Sequence, residues 1–235
     1  MTLILSCEHA TKDLPPQYRP LLAGCIEKLD THQGYDPGAL DFARLLADRL
    51  SAPLFPGSVT RLLVDLNRAR SNHRSPPIPP GYNLSPALKE EIFSQYYLPY
   101  RCQVEEAIED ALRQGKNVFH LSIHSFTPVF GGVQRTADVG FLYDPKREME
   151  KEFCGRWRVA LAARDEQWRL RRNYPYLGTS DGFVTALRKK FPAQRYLGVE
   201  LEINQLYPLT GKADWQRLQR QLLESFVEVL HMTSI

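Results

Sequence analysis

The feature that most constrains this chain is its alternation of short apolar runs with longer segments of helical periodicity. "LILSC" (3–7), "VTRLLVDLN" (59–67), "NVFHLSIHSF" (117–126), "VGFLYD" (139–144) and "YLGVELEIN" (196–204) read as strands, the first two as buried ones. Between and after them, residues 36–51, 85–115, 148–164, 181–191 and 214–232 read as helices. In the first, Leu40, Phe42, Ala43, Leu46 and Leu50 recur at helical spacing, with Asp36 as N-cap and Pro37 in the first turn. Ser85 and Pro86 repeat that cap chemistry, Pro99 is expected to kink the long helix, and Asp181 is expected to cap the helix at 181–191. "RARSNHRSPPIPPGYN" (68–83) carries four prolines and no periodicity, so it reads as an irregular lid or binding loop. Strands alternating with helices predict a three-layer α/β/α sandwich with a mostly parallel mixed sheet, a single domain over residues 1–235.

Composition narrows the class. A chain of 235 residues with 43% hydrophobic and 24% charged residues suits a globular domain with a sizeable core. The net charge is only +3 and no block of five like charges occurs, which argues against nucleic acid and anionic membranes as partners. No apolar stretch approaches the length of a membrane span, and the apolar run in "MTLILSCEHA" is too short and lacks the basic lead of a secretory signal. Cys7, Cys25, Cys102 and Cys154 show no CxxC spacing, so reduced thiols and a cytoplasmic location are expected.

In open α/β sheets ligands bind outside the carboxyl ends of the strands. Those ends carry groups that a packed strand would not choose: Glu8 and His9; Asp65, Asn67 and Arg68; His124 and Ser125; Glu200, Glu202 and Asn204. Alternation puts Glu200, Glu202 and Asn204 on one face, where two carboxylates repel unless a cation relieves them. One glutamate paired with a core arginine would also satisfy the pattern. His120 and His124 share a face, but they lie ~13 Å apart along a strand, too far to share one ion. His124 is therefore the expected ligand and His120 a core or supporting residue. Ser125 and Thr127 are read as the loop that holds His124. Histidine and carboxylate from separate strand ends, with one position left open, form the ligand set of a hydrolytic zinc site. There zinc polarises a carbonyl and activates water, a glutamate moves the proton, and an arginine grips a substrate carboxylate.

The ordered segments "SCEHA", "THQGYDPGA", "RLLVDLNR", "HSFTP", "NYPYLGTSDG" and "LGVELEINQ" resemble the N-formylglutamate amidohydrolase family, from about residue 3 to 210. That family is related to zinc carboxypeptidases and aspartoacylase-like deacylases. The resemblance implies a phosphorylase/hydrolase-like fold, one zinc ion, and deformylase action on an acidic N-acyl amino acid such as N-formyl-L-glutamate. It places zinc ligation on His9 and His124, carboxylate binding on Asn67 and Arg68, and the general base on Glu202, with Glu200 as the alternative base. The related carboxypeptidases use His-x-x-Glu, whereas Lys12 follows His9 at that spacing. The third ligand must come from elsewhere: Asp36 first, then His32 or Glu8. Arg61 is expected to stabilise a developing oxyanion. Tyr174, Tyr176 and Asp181 are expected at the mouth, with Tyr176 and Asn204 also counted among the substrate-binding residues. A deacylase or carboxypeptidase acting on another small acidic amide or peptide is the alternative function. A non-catalytic module that binds acidic ligands is the third.

Overall fold

A computed structural model describes residues 1–82 and 84–232. In chain order the elements are β1 (Thr2–Cys7), α1 (Ala39–Leu50), β2 (Leu54–Pro56), α2 (Pro86–Ile92), α3 (Leu98–Arg113), β3 (Val118–Phe126), β4 (Val129–Phe130), β5 (Val133–Gln134), β6 (Val139–Leu142), α4 (Glu148–Ala162), β7 (Leu170–Arg172), α5 (Phe183–Lys190), β8 (Tyr196–Asn204), α6 (Leu206–Thr210) and α7 (Lys212–Met232). The main sheet runs β2-β1-β3-β8-β6-β7. All neighbours pair in parallel except β6 against β8, so the sheet is mixed and mostly parallel.

Strand alternation builds two cores. Leu5, Phe119, Leu121, Ile123, Val199 and Leu201 pack with α1, α4 and α7 on one face. Ile4, Val118 and Tyr196 pack with α2, α3 and α5 on the other. The result is the predicted three-layer sandwich. Every residue of β3 and β8 is buried, yet only the face toward α1 is uniformly apolar; the other carries His120, Ser122, His124, Glu200 and Glu202. Among the described residues no helix is long and apolar enough to cross a membrane.

Several local expectations are corrected. Residues 59–67 do not form a strand. Thr60 folds them into turns: its carbonyl accepts from Leu63 N and its hydroxyl donates to Gly34 O at 2.8 Å. Leu63, Val64 and Leu66 are apolar because these turns close the second core. The edge strand beside β1 is instead the three-residue β2, with β3 on the other side of β1. Asp36 does not cap α1; Gly38 occupies that position with φ 79°, a conformation that suits glycine. The Asp36 side chain is thereby free to turn toward the strand ends. Asp181 does not cap α5 either; its carboxylate accepts from Ala69 N and Asn72 Nδ2 and so ties down the proline-rich segment. The strand expected over 139–144 stops at Leu142. The Ser85 cap holds, its hydroxyl accepting from Leu88 N at 3.2 Å. Pro99 lacks the N–H that would meet Gln95 O, and the preceding turn at Phe93–Tyr97 widens into a π-helix.

Candidate active site

The face of the sheet opposite α1 carries a column of polar side chains. Register pairs Ser6 with Ser122, Ser122 with Glu200, and His124 with Glu202. The column rises to the carboxyl ends of β1, β3 and β8. There it meets a cavity of about 170 Å³ lined by His9, Asp36, Arg61, Asn67, Arg68, His124, Ser125, Leu142, Tyr176, Leu177, Ser180, Asp181, Glu200 and Glu202. Gly140, opposite Glu202 in register, allows the backbone of Tyr174 to press against the sheet; a Cβ there would strike Tyr174 O. That approach brings the loop carrying Tyr176 over the site.

At the floor, His9 Nδ1 and His124 Nδ1 approach Asp36 Oδ2 at 3.3 and 2.9 Å. Ligand atoms of these three buried residues lie within 4.8 Å of one another. Tetrahedral zinc with bonds of about 2.0–2.1 Å separates its ligand atoms by roughly 3.3 Å, so the set is of the right size for such an ion. The far nitrogens are also committed. His9 Nε2 meets Asp65 Oδ1 at 2.7 Å, while His124 Nε2 meets Glu8 Oε2 and Ser122 Oγ, both at 2.9 Å. A carboxylate behind a histidine fixes the ring and raises its basicity, the usual support of a metal ligand.

Electrostatics point the same way. Glu8, Asp36, Asp65, Glu200 and Glu202 are all buried around this floor. Against these five carboxylates stand two guanidinium groups, Arg61 and Arg68, and two imidazoles. Burial alone would raise Asp36 and Asp65. Asp36 is instead held below the carboxylate range by His9 and His124, and Asp65 by Arg61 and His9. Burial would lower His124, but hydrogen bonds to Asp36 and Glu8 outweigh it and raise the group well above its ordinary range. Glu200 and Glu202 are pushed up by burial, Glu202 to about 8. Glu202 Oε2 is, among the described residues, the one buried side-chain oxygen with no hydrogen-bond partner. Crowded buried carboxyl groups, two of them pushed up by burial, and an orphaned oxygen on a residue that lines the cavity are what a bound cation or polar ligand would relieve.

The family model for N-formylglutamate amidohydrolase matches residues 1–207. The chain belongs to the N-formylglutamate amidohydrolase family. Its fold is similar to that of a gene product from Agrobacterium tumefaciens, at 28% identity and a TM-score of 0.80, with 98% of this chain and 90% of that one covered. It is also similar to N-formylglutamate amidohydrolase from Ralstonia eutropha, at 20% identity and a TM-score of 0.67, covering 98% and 93% of the two chains. No curated protein matches it in sequence.

Within this family member, the fold brings together most of the residues singled out in the sequence. His9, Asp36, His124, Arg61, Asn67, Arg68, Tyr176 and Glu202 all line the cavity. Of the three candidates for third ligand, Asp36 joins the cluster, Glu8 stands behind His124, and His32 lies outside both roles. Asn204 does not line the cavity; its amide donates to Ala137 O at 2.8 Å and its carbonyl accepts from Leu206 N. His120 is a core residue, bonded to Ser6 Oγ and Tyr196 Oη at 2.8 Å each. Sequence reasoning assigned no role to Asp65. The strand pattern hid it, yet Asp65 joins His9 to Arg61, whose Nη2 it accepts at 2.9 Å.

Proposed function

We propose that this chain is a zinc-dependent amidohydrolase that releases formate from N-formyl-L-glutamate or a closely related acidic N-acyl amino acid. One observation carries the reading: three ligand-type side chains converge on one point, each histidine is backed by a carboxylate, and Glu202, which has one unpartnered oxygen, lines the same cavity. His9, Asp36 and His124 would hold the metal. When bound there, zinc supplies Lewis acidity toward the acyl carbonyl and toward water.

The chain's own residues do the rest. Glu202 takes a proton from the attacking water at its free Oε2 and delivers it to the departing amine nitrogen. Arg61, fixed by Asp65 and the edge of Asp36, directs positive charge toward the developing oxyanion. Arg68 donates to Asp181 O at 3.2 Å and stands 3.9 Å from Asp65, which leaves it donors for a substrate carboxylate. Asn67 is oriented beside it by Phe183 N, which donates to its Oδ1 at 2.6 Å. A cavity of about 170 Å³ suits a small N-acyl amino acid better than a peptide.

The test is metal exchange with a formate assay. Dialysis against a chelator should abolish formate release from N-formyl-L-glutamate, and stoichiometric zinc should restore it. Full turnover by metal-free protein would refute the reading. Stoichiometric zinc without hydrolysis of any acidic N-acyl amino acid would leave a binding module in its place.

A further inference from the structure

We propose that Arg135 is a specificity-determining residue that binds a second substrate carboxylate at the rim of the cavity, beside Tyr176. This deepens the hydrolytic reading above and rests on it. Arg135 follows β5, at the end of the short hairpin that leaves β3. Its guanidinium lies against three aromatic rings: 4.7 Å from the centroid of Phe130, 5.1 Å from Tyr176 and 5.8 Å from Phe126. Nη2 donates to Tyr176 Oη at 3.2 Å and Nη1 to Thr127 O at 3.5 Å.

Two properties make this arrangement a carboxylate receptor. First, the charge has no counterion: among the described residues no carboxylate pairs with Arg135, in contrast to Arg61 with its two aspartates. Second, the side chain is already ordered. Stacking on rings confines the fork before a ligand arrives, so little conformational entropy remains to be lost on binding. The partner phenol is part of the receptor. Tyr176 lines the cavity, and because its oxygen accepts from Arg135, its own hydrogen is free to point at an anion. Two separate anion grips result, one in the cavity lining at Asn67 and Arg68 and one where Arg135 reaches the lining residue Tyr176. Asn67 and Arg68 stand where the turns at 60–67 enter the proline-rich loop, Arg135 and Tyr176 on the hairpin and the loop after β7. A monocarboxylate occupies one grip. A dicarboxylic N-acyl amino acid fills both, and Arg135 is the group that distinguishes them.

The experiment compares N-formyl-L-glutamate with its neutral counterpart N-formyl-L-glutamine on the zinc-loaded protein and on Arg135→Gln and Arg135→Lys. Wild type should favour the dicarboxylate. Arg135→Gln should raise KM for N-formyl-L-glutamate roughly 10- to 100-fold, the share of one charged hydrogen bond, with kcat changed far less. The preference between the two compounds should collapse toward one. Arg135→Lys, which keeps the charge but loses the fork, should recover part of the preference. An equal rise in KM for both compounds, or a preference unaltered by Arg135→Gln, overturns the proposal. If wild type releases no formate from either compound, the hydrolytic reading falls, and calorimetric binding of the same two compounds decides the inference alone. Preferential binding of the dicarboxylate that is lost in Arg135→Gln supports it. Absence of that preference in wild type refutes it.

Discussion

Two regions of this molecule bury charge, and they do so in opposite ways. Behind β8, Arg188 and Glu150 form a closed network. Arg188 Nε donates to both Glu150 oxygens at 3.2 and 3.0 Å, Nη2 donates to Gly198 O at 2.7 Å, and Nη1 to Gly178 O. Glu150 also accepts from Asp144 N and Gly198 N. Donors and acceptors balance, and neither residue lines the cavity of the site. At the carboxyl ends of β1, β3 and β8 the balance fails: five buried carboxylates face two guanidinium groups and two imidazoles, and one oxygen of Glu202 has no partner. A satisfied buried network fixes a fold. An unsatisfied one beside a cavity leaves a polar group for a ligand to meet.

The sharpest way to break that contrast is Glu202→Gln. Neutralising the orphaned carboxylate should lower kcat for formate release by roughly 10²–10⁴-fold, the share of a general base. Bound zinc, read by elemental analysis, should stay stoichiometric, because Glu202 lies outside the ligand set. Near-normal turnover would shift the base role to Glu200, which lines the same cavity.

The closed network predicts the converse. Arg188→Met leaves the buried Glu150 with Arg147, 3.7 Å away, as its remaining cation and should cost about 3 kcal/mol of unfolding free energy, read by denaturant titration. Added zinc should not restore the stability of this variant beyond the increment it gives wild type. A loss below about 1 kcal/mol would show that water reaches Glu150 and that the two regions are less different than their hydrogen bonding suggests.

The sequence made the framework legible wherever burial on both faces leaves a plain signature. β1 is a short apolar run and β3 and β8 keep one wholly apolar face, and the polar residues toward their carboxyl ends mark the site. Where apolar residues serve turns the same signature misleads: Leu63, Val64 and Leu66 read as a strand because packing against α3 needs them as much as a sheet would. Asp36 and Asp181 read as caps because their types and positions fit that role, and only the backbone shows Gly38 and Gly182 standing there instead. The pairs that tune the site were out of reach for a different reason. Asp65 with His9, Glu8 with His124, and Arg135 with Tyr176 join segments that only the tertiary fold makes neighbours.

His120 and His124 supply the smallest and most local version of the contrast. They share a strand and a face, four residues apart. His124 lies between two carboxylates. His120 lies between two hydroxyls, Tyr196 and Ser6, and is pushed down to about 4, first by burial and then by Arg188 and His124, with Glu8 opposing. The sign follows from that direction. At pH 7 His120 is neutral in the folded chain and mostly neutral in the unfolded one, so it adds little pH dependence there. As pH falls from about 6.5 toward 4 the unfolded chain takes up a proton that the folded one refuses, so stability declines by up to about 1.4 kcal/mol per pH unit. Denaturant titrations at pH 7, 6 and 5 should show His120→Gln less stable than wild type at neutral pH but with a slope shallower by about one proton. Glu8, Asp36 and Asp65 are held low in both proteins and cancel from the comparison. Parallel slopes would mean that His120 accepts a proton inside the fold, which would place it with His124 in the charged region rather than in the core.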